Sequence, residues 1–89
     1  MTKMIYSQRF AQELARVTSA RVEQKIYDTL GIIEACPAIG SCNIPKMIQA
    51  EFGDSVLKMV VDPFDIVYEY FELLDTVYVY TLVFQRQAR

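Results

Sequence analysis

The sequence predicts an α+β fold in which a short N-terminal strand and a two-helix hairpin precede a small antiparallel sheet, in the order β-α-α-β-β-β. Two observations carry this prediction. Residues 55–84 are rich in valine, isoleucine, tyrosine, phenylalanine and threonine, the residue types that favour strands. Residues 8–35 instead repeat apolar side chains with the period of a helix that buries one side. The helical hairpin is therefore expected to pack on one face of the sheet.

The last third of the chain is predicted to form three strands, at 55–61, 66–72 and 76–84. Asp62-Pro63 separates the first two, and 73–75 separates the second from the third. Breaks this short permit only antiparallel neighbours, because a parallel return needs a long crossover. In the last strand Val77 and Val79 alternate with Tyr78 and Tyr80, so both faces of the sheet are largely apolar. We expect one face to be left uncovered by this chain.

The first third of the chain supplies the other predicted elements. Residues 3–6 read as a short strand, and Ser7 is a suitable N-cap for a helix over 8–17. A longer helix is predicted over 20–35 and ends before Pro37. The apolar stripes of the two helices are Phe10, Leu14 and Val17, then Val22, Ile26, Leu30 and Ile33. Residues 37–54 are predicted to be a loop with one short helical turn within 44–52.

Length and composition narrow the class of protein. The 89 residues form a single domain, 1–89, with a net charge of −2 that argues against broad nucleic-acid binding. No apolar run resembles a signal peptide or membrane span, so we expect a cytoplasmic protein that does not bind membranes. There is no histidine, and Cys36 and Cys42 cannot form a closed zinc site alone, so no metal or cofactor is expected. The two cysteines are most simply free thiols, with a small disulfide loop as the alternative.

Several short motifs, in order and with their spacing, resemble the RelE/ParE superfamily of bacterial type II toxins. The resemblance extends over nearly the whole chain, although each motif is weak by itself. The motifs are Tyr6-Ser7-x-x-Phe10-x-x-x-Leu14, Pro37-x-x-Gly40, Val56-Leu57-Lys58-Met59, Pro63-Phe64-Asp65-Ile66-Val67-Tyr68, and the run from Val77 to Arg86.

The resemblance implies the fold just predicted and a cognate antitoxin that wraps the toxin and keeps it inactive. An uncovered apolar sheet face independently suits such a partner, since large exposed apolar patches mark interfaces. We expect Val67, Phe71, Tyr80 and Phe84 to bind the partner. A homodimer through the same face would explain the pattern equally well.

Members of the superfamily differ in their targets, because some cleave mRNA on the ribosome and others poison DNA gyrase. Of the basic positions that ribonuclease members use, the resemblance carries over Lys58 and Arg86 as candidate catalytic residues. Asp65 stands where an arginine is common, Val56 replaces a lysine, and no tyrosine follows Arg86. These losses favour a ParE-like, non-catalytic gyrase inhibitor. A ribosome-dependent mRNA endonuclease is the second hypothesis, and a homologue that only binds its partner is the third.

Overall fold

The computed structural model describes residues 2–85 and has the predicted α+β architecture. Its helices and strands are β1 (Lys3–Tyr6), α1 (Gln8–Ala15), α2 (Ala20–Ala35), α3 (Lys46–Phe52), β2 (Leu57–Val61), β3 (Phe64–Phe71) and β4 (Thr76–Phe84). Short 3-10 turns occupy Pro37–Ile39 and Glu72–Leu74. The strands form one sheet in the order β1-β4-β3-β2. Within the described residues no helix is long and apolar enough to cross a membrane.

The sheet is mixed rather than wholly antiparallel. Strands β2, β3 and β4 form the predicted antiparallel meander. Strand β1 joins the free edge of β4 in parallel, with Met4 opposite Val77. All the other elements lie between β1 and β4 in the chain, so the connection is long enough for parallel pairing. The register of β3 and β4 shifts between Val67 and Tyr68, which leaves Tyr80 without a partner across the ladder.

The first face of the sheet packs against the helical hairpin, as predicted. Ser7 and Ser19 cap the two helices by accepting hydrogen bonds from the backbone N–H groups of Phe10 and Val22. Helix α2 has the predicted bounds, whereas α1 ends at Ala15, two residues earlier than predicted. The buried core on this side comprises Phe10, Ile26, Leu30, Ile33, Val61, Ile66, Tyr68, Val77, Val79 and Leu82.

The second face is not left bare by the chain, and the prediction of an uncovered face is wrong for the part around Val67. Helix α3 and its flanking loops place Ile44, Ile48 and Val56 on Val67, and all four side chains are buried. The predicted helical turn within 44–52 is therefore a two-turn helix with a core of its own. Prolines and glycines in 37–54 obscured it, although Ile44 and Ile48 have the i, i+4 spacing of a buried helix side.

A buried tyrosine ties the loop after α2 to the sheet. The Tyr68 side chain is fully buried, and its hydroxyl donates to the Pro37 carbonyl at 2.8 Å. The same hydroxyl accepts from the Gly40 N–H at 2.9 Å. A Cβ at Gly40 would lie 2.5 Å from that hydroxyl, so only glycine permits this approach. Cys36 and Cys42, at the ends of this loop, are exposed free thiols, as predicted.

Candidate functional site

Beside the part that α3 covers, the second face carries two separate features. One is a polar group of Lys58, Asp65 and Gln85, which we call the lysine–aspartate cluster; it lines a cavity of about 270 Å³ together with Val60. The other is an aromatic basin of about 430 Å³, lined by Ser7, Arg9, Phe52, Phe71, Tyr78 and Tyr80. Basins of this size are common among ligand sites and partner-binding surfaces.

The lysine–aspartate cluster is held by three strands. Asp65 lies on β3, directly opposite Val60 of β2 and Val83 of β4. Its carboxylate accepts a hydrogen bond from Gln85 Nε2 at 3.1 Å, and its other oxygen lies 3.9 Å from Lys58 Nζ. The Asp65 side chain is only 6% exposed, whereas that of Lys58 is 20% exposed. A bridge to Ser41, which exchanges both backbone hydrogen bonds with Lys58, fixes the strand at the lysine.

The cluster offers an ammonium group that is already compensated by a carboxylate. Cleavage of RNA through the 2′-hydroxyl needs a base, an acid and cations to stabilise the charge on phosphorus. A lysine paired with a buried aspartate supplies this cationic role poorly, because the pair is close to neutral when seen by an anion. Lys58 is thus the one cation of the cluster within the described residues, and it is paired with a carboxylate.

Tyr80, on β4, is not suited to act as a general base. The Tyr80 hydroxyl donates to Glu69 Oε1 at 2.9 Å. Burial, together with this hydrogen bond and the charge of Glu69, raises the pKa of Tyr80 to about 12. The phenol is thus protonated at neutral pH, and its proton is already held by the carboxylate. Tyr80 is suited to packing and hydrogen bonding rather than to proton abstraction.

The aromatic basin is built from four elements, α1, α3, β3 and β4. The Tyr80 ring lies 5.1 Å from that of Phe52 and 4.9 Å from that of Tyr78. The Arg9 guanidinium lies 5.6 Å above the Phe52 ring and pairs with Glu51 at 2.6 Å. Phe71 is 38% exposed at the edge of the basin.

Exposed apolar surface continues from the basin to the turn between β3 and β4. Leu73 and Leu74 are among the most exposed large apolar side chains of the described chain. The turn itself is well held, because Asp75 accepts hydrogen bonds from the Thr2 and Tyr70 hydroxyls. These hydrogen bonds lower the pKa of Asp75 and raise that of Tyr70. Leu73 and Leu74 therefore extend the exposed apolar surface beside the basin, and large exposed apolar patches mark interfaces.

The structure separates the residues that the sequence grouped together. Phe71 and Tyr80 lie in the aromatic basin, as a partner surface would require. Val67 is fully buried beneath α3 and has no surface to offer a partner. Phe84 is half-buried against the Phe64 ring, at a separate cavity beside α1. Lys58 lies in the cluster, and Arg86 falls outside the described residues.

Some residues of this surface were missed from the sequence. Phe52 enters the basin because α3 folds over the sheet, and its position at the end of the amphipathic stretch 44–52 was the available signal. Arg9 joins it across a long chain separation that no local pattern predicts. Within residues 2–85, no group of three or more cysteine, aspartate or glutamate side chains is placed to hold a metal ion.

Comparison with known proteins identifies the architecture. No protein-family model and no curated protein matches the chain. Among solved structures, the intact RelBE toxin–antitoxin complex of E. coli matches with a TM-score of 0.71 and 14% identity, covering 93% of this chain and 95% of that chain. A YoeB/ParE toxin from Agrobacterium tumefaciens matches with a TM-score of 0.70 and 18% identity, covering 93% of this chain and 98% of that chain.

An archaeal RelE–RelB complex from Pyrococcus horikoshii gives a TM-score of 0.68 and 9% identity, covering 94% of each chain. These similarities extend over almost the whole of each protein, and at such low identity they concern the fold. The chain therefore has the fold of the RelE, YoeB and ParE toxins.

Proposed function

We propose that this protein is the toxin of a bacterial type II toxin–antitoxin module and is held inactive by a cognate antitoxin. The observation that carries the proposal is the match of 93% of the chain to a solved RelBE toxin–antitoxin complex. The surface adds independent support, because the aromatic basin and the turn beside it expose apolar side chains, and exposed apolar patches mark interaction sites.

The antitoxin is proposed to cover the aromatic basin and the adjacent turn. Phe71 and Tyr80 are the predicted partner residues that lie there, and Leu73 extends the same surface. A fixed aromatic cluster with a polar rim is the kind of surface that provides most of the binding energy in protein interfaces. A homodimer through this surface is the competing arrangement.

The cellular target is proposed to be DNA gyrase, inhibited without catalysis. The pairing of Lys58 with buried Asp65, and the protonated state of Tyr80, leave the described part of the site poorly equipped for RNA cleavage. Inhibition by binding needs only a surface. A ribosome-dependent mRNA endonuclease is the second candidate, since Lys58 lies beside Gln85 and Arg86 follows Gln85 directly in the chain.

Expression of the full chain from an inducible promoter in a bacterial host tests the proposal. We expect growth arrest with filamentation and DNA damage, the result of gyrase inhibition. Immediate arrest of translation with cleaved messages would instead indicate the endonuclease. Unimpeded growth at a verified protein level would leave only an interaction module.

Two variants test separately whether Arg86 has an active role and whether the antitoxin binds at Phe71. Arg86→Ala should leave toxicity intact if the protein is non-catalytic, and its loss at equal protein level would support an active role for Arg86. Phe71→Asp should abolish neutralisation by the product of a small reading frame beside the gene, if that frame encodes the antitoxin. Ile32→Asp, at a comparably exposed apolar position on α2, is the matched control and should still be neutralised.

A further inference from the structure

We infer that Asp65 is a specificity-determining residue that keeps phosphodiesters away from Lys58, so that the lysine–aspartate cluster rejects RNA. The inference rests on the proposed function in that it explains how a toxin of this fold would lack nuclease activity. It concerns a property of the cluster that binding measurements on the purified protein can test without any toxicity assay.

The Asp65 carboxylate cannot easily move out of the way. Asp65 occupies a central strand, with Val60 and Val83 as its cross-strand neighbours. The short side chain is almost wholly buried, and Gln85 Nε2 holds one oxygen at 3.1 Å. The other oxygen lies 3.9 Å from the Lys58 ammonium, its nearest cation within residues 2–85, and both side chains line the cavity.

A phosphate that approached Lys58 would meet this carboxylate at once. A phosphate oxygen bound to the ammonium would lie about 2.8 Å from Nζ. With Nζ only 3.9 Å from the carboxylate, that oxygen would be no farther than about 7 Å from Asp65 Oδ2. This is inside the Debye length of about 8 Å at physiological salt, so mobile ions screen the repulsion only in part. The repulsion from Asp65 would therefore offset a substantial part of the attraction to Lys58.

Arg9, the basic side chain of the aromatic basin, does not change the balance. It donates to Glu51 at 2.6 Å and also pairs with Glu13 at 3.5 Å. Its guanidinium is therefore compensated by carboxylates in the same way as the Lys58 ammonium. Both Arg9 and Lys58 are thus paired with carboxylates, in a chain whose net charge is −2.

Removing the carboxylate charge should turn the cluster into an anion site. The probe is a fluorescein-labelled single-stranded oligouridylate, and its anisotropy is followed at low and at physiological salt with the full chain. We expect Asp65→Asn to bind it about tenfold more tightly than the wild type, since like-charge juxtaposition strongly disfavours binding. Asp28→Asn removes the same charge from the exposed side of α2 and is the matched control, expected to change affinity less than about twofold.

A second variant avoids touching the buried carboxylate. Val60 is 59% exposed and lies opposite Asp65, so Val60→Lys adds a cation to the cluster at a tolerant position. It should tighten RNA binding and steepen the salt dependence by about 0.7 for each phosphate that the new lysine neutralises. Leu73→Lys makes the same charge change at a fully exposed position on the turn between β3 and β4. It should change neither the affinity for RNA nor its salt dependence.

The outcomes separate the two proposals. If Asp65→Asn folds, as judged by circular dichroism, but binds no better than Asp28→Asn, the inference is overturned. The inference is also overturned if Val60→Lys and Leu73→Lys bind the oligouridylate with the same affinity and salt dependence. A third contrary result would be tight binding of the oligouridylate by the wild type that Lys58→Ala abolishes. Any of these results leaves growth arrest by the wild-type chain untouched, whereas a chain that rejects RNA but does not arrest growth would contradict the proposed function alone.

Discussion

The Tyr68 hydroxyl connects the loop after α2 to the centre of the sheet, and its removal gives a measurable prediction. Tyr68→Phe keeps the ring in the core but deletes the hydrogen bonds to the Pro37 carbonyl and the Gly40 N–H. Both backbone groups would then face an apolar ring in a site that is partly buried. The cost is therefore more than that of two exposed hydrogen bonds, because the partners left behind lose their compensation.

The magnitude follows from these two contacts. A typical buried hydrogen bond contributes about 1 kcal/mol, and a group left without a partner costs about 1–3 kcal/mol. Some relaxation of the loop toward water lowers the total, so we expect Tyr68→Phe to reduce the free energy of unfolding by about 2–3 kcal/mol. For a domain of this size that corresponds to a fall in Tm of about 8–24 °C.

Urea denaturation followed by circular dichroism at neutral pH is the assay. Tyr78→Phe is the matched control, because it removes a phenolic hydroxyl from a half-buried side chain on β4 and should cost less than about 0.5 kcal/mol. Gly40→Ala disrupts the same contact, because the added Cβ would lie 2.5 Å from the Tyr68 hydroxyl. The losses from Gly40→Ala and Tyr68→Phe should therefore not add in the double variant.

The reasoning is refuted if Tyr68→Phe and Tyr78→Phe have the same free energy of unfolding. It is also refuted if the double variant loses the full sum of the two single losses. In either case the hydroxyl would not be the link that holds the loop to the sheet.

Two further predictions concern side chains that act at the edge and on the open face of the sheet. Glu13 accepts hydrogen bonds from the Thr81 hydroxyl at 2.7 Å and the Leu82 N–H at 2.9 Å, so Glu13→Ala should lower the free energy of unfolding by about 1–3 kcal/mol in urea denaturation. The raised pKa of Tyr80 means that the neutral phenol is the form the fold favours, so its stabilising contribution is complete below about pH 10 and is lost as pH rises through about 12. Glu69→Gln should lower that pKa, as measured by ultraviolet titration of the phenolate with Tyr80→Phe subtracted.

Each of these has an outcome that would contradict it. Glu51→Ala removes only an exposed ion pair of Arg9 and should cost less than about 1 kcal/mol, so an equal loss in Glu13→Ala would mean that the sheet-edge hydrogen bonds contribute nothing. A Tyr80 phenol that ionises near its ordinary pKa, or one that Glu69→Gln leaves unchanged, would show that the carboxylate does not hold its proton.

Local patterns in the sequence determined the helices, the meander and much of their bounds. The bounds of α2, the caps at Ser7 and Ser19, and the strand over Thr76–Phe84 follow from periodicity, capping residues and turn chemistry. These signals act between residues a few positions apart, so they are present before any tertiary contact forms. The short breaks likewise left antiparallel pairing as the only possibility for β2, β3 and β4.

Tertiary structure alone decided what meets across the sheet. The parallel pairing of β1, the covering of Val67 by α3 and the meeting of Arg9 with Phe52 all join segments far apart in the chain. The sequence shows which side chains are apolar or charged, but their neighbours depend on how the elements pack as a whole. Asp65 illustrates the difference: the sequence marked it as an acid in place of an expected base, and only the fold revealed that it is buried and paired with Lys58.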